Sequence, residues 1–166
     1  MLSVRLTAKE LSEARQIANG RSQLNRASGV VNQNRDKQRD IEYLGVCAEM
    51  AVAKALNIDG GVHILGVDDG VDMWHGDVAI DVKSTFHKTG KLLFVSHDHF
   101  KAGIAILATA DDDPSVINVI GGIGRSEFIR SAEPNNLGKG QCFTLAQDKL
   151  LPIETVWLKL QQRLLQ

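Results

Sequence analysis

The sequence predicts a single α/β domain, a central mixed β-sheet flanked by helices. Three observations carry that expectation. Two amphipathic helical segments come first. Short alternating segments follow, interrupted by further helical ones. Among these, "AGIAILATA" (102–110) is almost wholly apolar, which marks a strand covered on both faces. The chain has 166 residues, enough to bury a real core in one domain, residues 1–166. No glycine-rich phosphate loop follows a first strand, so a nucleotide-binding doubly wound fold is not expected.

The elements are justified in order. "TAKE" (7–10) has Thr7 at a cap position and Glu10 three residues later, a capping box. Leu11, Ala14, Ile17 and Ala18 then recur at helical spacing, and Gly20 weakens or ends the helix. Residues 25–39 read as a polar, basic connection, so that 1–39 form an N-terminal helix and basic arm and 40–166 the core. Between Arg15 and Arg39 stand six basic residues and one acid, Asp36. A solvated loop and an arm touching phosphates both fit that run.

The next helix, "DIEYLGVCAEMAVAKALNI", puts Ile41, Leu44, Cys47 or Ala48, Ala51, Val52, Ala55 and Leu56 on one apolar stripe. Glu49 falls near the edge of that stripe. Strands are expected at about 62–66, 70–74, 77–84 and 91–95, with "WHGD" (74–77) as a tight hairpin turn. A short helix around "SHDHFK", strands at 102–110 and in "SVINVIGGI", a short helix at 125–131, a loop and a strand at "QCFTL" follow. Pro152 opens the last helix, with Val156, Leu160 and Leu164 as its stripe.

Bulk properties narrow the functional classes. Composition is ordinary, 43% hydrophobic and 23% charged, and a net charge of −1 provides no global basic field. Cys47 and Cys142 are too few for a disulfide framework and match no zinc spacing. The N-terminus has no apolar signal core, and no apolar run reaches the roughly 18 residues of a membrane span. The expectation is a cytoplasmic chain with no membrane contact, its cysteines serving as small core residues.

The chemistry concentrates in "VDMWHGDVAIDVKST" (71–85). On a strand, Val78, Ile80 and Val82 share one face, and Ala79, Asp81 and Lys83 share the other. If Asp72 ends the preceding strand, its carboxylate can approach Asp81. Two close carboxylates repel unless one takes a proton or a cation holds both. Mg²⁺, a hard ion that takes oxygen ligands, suits that arrangement, and Glu49 can supply a third carboxylate. Lys83 can orient an attacking water or offset charge on a phosphate oxygen.

These residues resemble the PD-(D/E)XK nuclease superfamily, with its restriction-endonuclease-like fold. The resemblance runs from about residue 38 to 120. It rests on an acid-bearing helix, "GVCAEMAVAKAL", and on the hairpin "DMWHGDVAIDVKS". The likeness is strongest to small phage-type and Holliday-junction-resolvase-like members. It implies catalytic residues Glu49, Asp72, Asp81 and Lys83, with Glu49, Asp72, Asp81 and Val82 as metal ligands. It implies Mg²⁺, with Mn²⁺ able to substitute, and hydrolysis of DNA phosphodiester bonds by a phage or mobile-element endonuclease in a host cytoplasm. The chain departs from the pattern in lacking a proline before Asp72, and Asp77 is a rival for the first acid.

Arg35, Lys37, Arg39, Ser84, Thr85, His87 and Lys88 are candidate substrate contacts. A homodimer is a candidate assembly, with the last helix as one surface. The alternative is a catalytically inactive nucleic-acid-binding or protein-interaction module on the same fold. Among bland readings, "HDH" (97–99) is better taken as a helix start than as a zinc site. Trp74 is read as a packing residue, and Trp157 as core or interface.

Overall fold

The computed structural model describes residues 1–27, 35–58, 70–136 and 140–164. The architecture is α/β, with a five-stranded mixed sheet flanked by helices and a smaller three-stranded sheet beside it. The elements are β1 (Leu2–Arg5), α1 (Ala8–Ala27), α2 (Arg35–Ala55), β2 (Met73–His75), β3 (Val78–Thr85) and β4 (Leu92–Phe94). Then follow β5 (Ile104–Ala110), β6 (Val116–Gly124), α3 (Arg125–Ser131), β7 (Glu133–Asn136), β8 (Gln141–Leu145) and α4 (Ile153–Leu164). Single 3₁₀ turns stand at His97–His99 and Gln147–Lys149.

The main sheet has the order β1-β6-β5-β3-β2, and the smaller one β4-β8-β7. β3 and β5 are parallel, with Asp81 opposite Ala105 and Lys83 opposite Leu107; the other pairs are antiparallel. β5 is central, and its side chains from Ala105 to Ala110 are buried, as its unbroken apolar run requires.

Two clusters divide the core by face. One holds Val78, Ile80 and Val82 with α2 residues such as Leu44, Ala51 and Leu56, and with Ile153, Val156 and Leu160 of α4. The other lies under the small sheet: Phe94 stacks on Phe100 at 4.4 Å, and Phe128 meets both edge-on. Alternation along β3 therefore sends its apolar set to the helices and Ala79, Asp81 and Lys83 toward the aromatic side.

Local signals read from the sequence recur in the geometry. Thr7 N–H donates to Glu10 Oε2 at 2.6 Å and Glu10 N–H to Thr7 Oγ at 3.3 Å, so the capping box forms. That bond to the Thr7 main chain holds the Glu10 carboxyl below its usual range, with the nearby Lys54 adding to the effect. The hairpin turns on Gly76–Asp77 with Gly76 at φ 61°, the pattern of a type II′ turn.

Other expectations need correction. α1 runs through Gly20 to Ala27, because packing against α2 outweighs the cost of one glycine. α2 begins at Arg35, so Arg35, Lys37 and Arg39 stand in its first turns and not in a connection; their side chains lie outside the described residues. Ile41, placed on the buried stripe, is 59% exposed. β1 and β7 carried no sequence signal: β1 draws its pairing from β6, and β7 from β8. Trp74, read as a packing residue, is 56% exposed, and Trp157, read as core or interface, is 37% exposed, which leaves the interface reading of Trp157. The strand expected at 62–66 and the Leu164 side chain lie outside the described residues.

Candidate active site

β2 is the edge strand that presents Asp72. Its ladder with β3 is regular from His75 to Met73. Beyond Met73 it breaks: the Asp72 N–H reaches the Ile80 carbonyl at 2.9 Å. The Asp72 carboxylate then accepts the Val82 N–H at 2.5 Å, where a continuing strand would offer a carbonyl. That N–H belongs to the peptide linking Asp81 to Val82, so Asp72 is anchored against Asp81's own main chain. In a strand, a residue's N–H and C=O leave on the same side, so the Val82 carbonyl faces the flank that Asp72 occupies.

Asp81 is 1% exposed. Lys83, on the same face two residues on, brings Nζ to 2.6 Å from Asp81 Oδ1, and that ammonium lies 5.2 Å from the centre of the Phe94 ring. A buried carboxylate needs such a partner, since an isolated charge in an apolar setting is costly. Lys83 itself is about a third exposed along its side chain. It links the buried acid to open solvent.

That opening is a groove lined by Lys83, Ser84, Thr85, His87, Lys91 and Asn135, among others, and no acid is among its described lining residues. Its rim is rigid. Gln147 Nε2 donates to the carbonyls of Lys88 and Gly90, both at 2.9 Å. Gly90 packs so tightly that a Cβ there would lie 2.3 Å from Thr85 Cγ2. Of the predicted substrate contacts, Ser84, Thr85 and His87 line this groove. Lys88 is exposed on the same loop and gives its carbonyl to Gln147.

Glu49 is buried, as its place on the helix suggested, but its carboxylate is engaged. Arg21 of α1 donates from both terminal nitrogens, at 2.7 and 2.8 Å, in a bidentate fork. Sequence reasoning missed this partner, because helix pairing and not local spacing brings 21 and 49 together. Arg15 is likewise engaged, its guanidinium 3.5 Å from the centre of the Tyr43 ring. Two cations of the expected phosphate-gripping arm therefore serve the α1–α2 interface. Asp77, the rival acid, sits exposed at the hairpin turn, and Asp72 is the acid beside Asp81.

Among the described residues, no group of three or more His, Cys, Asp or Glu side chains is gathered for a metal. The oxygen donors present, the carboxylates of Asp72 and Asp81 with the Val82 carbonyl, are of the kind a hard divalent cation takes. At "HDH", His97 packs on Phe143 with ring centres 4.0 Å apart, and His99 Nδ1 lies 2.7 Å from Ser96 Oγ, so the two imidazoles have separate roles. No described helix is long and apolar enough to cross a membrane. Compared with protein-family models, curated proteins and solved structures, the chain matches none of them.

Proposed function

We propose that this chain is a metal-dependent nuclease that hydrolyses DNA phosphodiester bonds. One observation carries the reading. The Asp72 carboxylate is anchored on the Asp81–Val82 peptide while Lys83 joins Asp81 to a groove with no acid among its described lining residues. Asp72, Asp81 and the Val82 carbonyl would hold a Mg²⁺ ion, with Mn²⁺ able to replace it. Such an ion supplies charge stabilisation at phosphorus and a more acidic water. Lys83 holds its ammonium at the groove mouth, where it can neutralise a phosphate oxygen. Ser84, Thr85, His87 and Lys91 offer donors that would orient the backbone without reading bases. The proposed family is the PD-(D/E)XK superfamily, and two copies would allow both strands of a duplex to be cut.

A second reading, an inactive nucleic-acid-binding module, is favoured by a specific observation: the helix acid Glu49 is taken up by Arg21. One experiment separates them. Plasmid, linear duplex, single strand, four-way junction and RNA are incubated with Mg²⁺, Mn²⁺ or EDTA and the wild type, Asp81→Asn or Lys83→Ala. Metal-dependent cutting that both substitutions abolish is expected. Retention of DNA in EDTA with no cutting in either metal selects the binding module.

A further inference from the structure

A second groove opens at the opposite end of the main sheet, between α3, α4 and the ends of β5 and β6. Its floor includes Gly122 and Gly124, and its rim carries Arg130, Lys149, Lys159 and Arg163. All four basic side chains are exposed. Glu127 is the one acid among the described lining residues, and it is already ion-paired with Arg130. In a chain of net charge −1, this clustering does not follow from a basic composition.

The cations come from three separate elements: α3, the turn at Gln147–Lys149, and α4. Lys159 and Arg163 lie one helical turn apart, where like charges repel. That repulsion is relieved when an anion sits between them. A single small anion needs fewer cations, set closer together; a rim spread over three elements suits a chain of phosphates. At Gly124 an added Cβ would meet only the Gly103 carbonyl oxygen, at 4.0 Å, so the floor is open there, while Ile104, Leu151, Val156 and Leu160 line the rest.

Ile104 lines this groove and Leu107 lines the Lys83 groove. Both are on β5, three residues apart, so they face opposite sides of the sheet and the two grooves are separate surfaces.

We infer that this α3–α4 groove binds the sugar–phosphate backbone of a nucleic acid, as a second anchoring surface apart from the Lys83 groove. The inference rests on the nuclease reading for the identity of the polyanion. The test is fluorescence anisotropy in EDTA with a labelled duplex and a labelled single strand, from 50 to 200 mM KCl. The variants are Lys159→Gln/Arg163→Gln and, as a control away from the groove, Arg5→Gln/Lys9→Gln. Circular dichroism verifies that each is folded.

Each lost phosphate contact flattens the plot of log affinity against log salt by about 0.7–0.9. The groove variant is therefore expected to flatten it by about 1.4–1.8 and to bind at least about tenfold more weakly at 50 mM KCl. In Mg²⁺ its KM for DNA rises while kcat holds. The control variant keeps the wild-type slope. An unchanged slope in the groove variant overturns the inference, as does equal flattening in the control. If wild-type cutting persists alongside such a result, the nuclease reading stands alone. A wild type that binds no nucleic acid at any salt overturns both.

Discussion

Arg21→Met should destabilise the fold more than any other single removal of a described cation. It deletes both donors of the fork on Glu49, a residue only 4% exposed. Breaking a fully buried pair from one side costs about 3–5 kcal/mol. The Arg21 side chain is 23% exposed, so water can partly replace it, and the expected loss is about 2–4 kcal/mol. For a chain of this size that lowers Tm by roughly 5–12 °C. Urea unfolding followed by circular dichroism measures it, with the m-value checked for constancy. Removing both charges, as Arg21→Met/Glu49→Leu, should recover most of the loss, because the buried carboxylate goes together with its fork. A single-variant cost below about 1 kcal/mol, or a double variant no better than the single, would refute the argument that the fork neutralises a buried acid.

Three further outcomes are expected. Asp72→Ala leaves the Val82 N–H without its acceptor and should cost about 1.5–3 kcal/mol, whereas Asp72→Asn keeps an acceptor oxygen and costs less; thermal denaturation of both variants checks the order. Burial pushes the Cys47 thiol up from 9.0 to about 11, so the native protein should resist iodoacetamide at pH 8. A folded pKa above the unfolded one means that this contribution is complete below about pH 9 and is lost as pH rises toward about 11; a stability gain over that window in a Cys47→Ala comparison would contradict it. Gly121→Ala would put a Cβ 2.3 Å from the Leu151 carbonyl oxygen, beside the Gly122–Leu151 bridge, and should cost about 1–3 kcal/mol, read as a lower urea midpoint.

Much of the fold was legible because its signals are local. The helix at 125–131 and the strand at "QCFTL" stand where periodicity put them, and the Thr7–Glu10 box closes as a four-residue pattern predicts. The alternation in 78–85 places Asp81 and Lys83 on one face whatever surrounds them, since a strand's period is two. The same arithmetic put Glu49 near the buried side of its helix. β1 and β7 escaped notice because four residues carry too little pattern; each exists by virtue of the strand it pairs with.

What each charge does was decided only by the tertiary structure. Charge on Arg15 and Arg21 reads in sequence as a grip for phosphates, yet helix pairing turns the first onto Tyr43 and the second onto Glu49. Trp74 reads as a packing residue, yet it stands on an edge strand of the described sheet and is 56% exposed. Asp77 rivals Asp72 as the first acid on paper; the break in the β2–β3 ladder seats Asp72 on the Asp81–Val82 peptide and leaves Asp77 at the turn. Sequence determines which residues share a face, because backbone periods are intrinsic to the chain. Which partner a side chain meets depends on contacts between segments far apart in sequence, and those exist only once helices and sheet have packed.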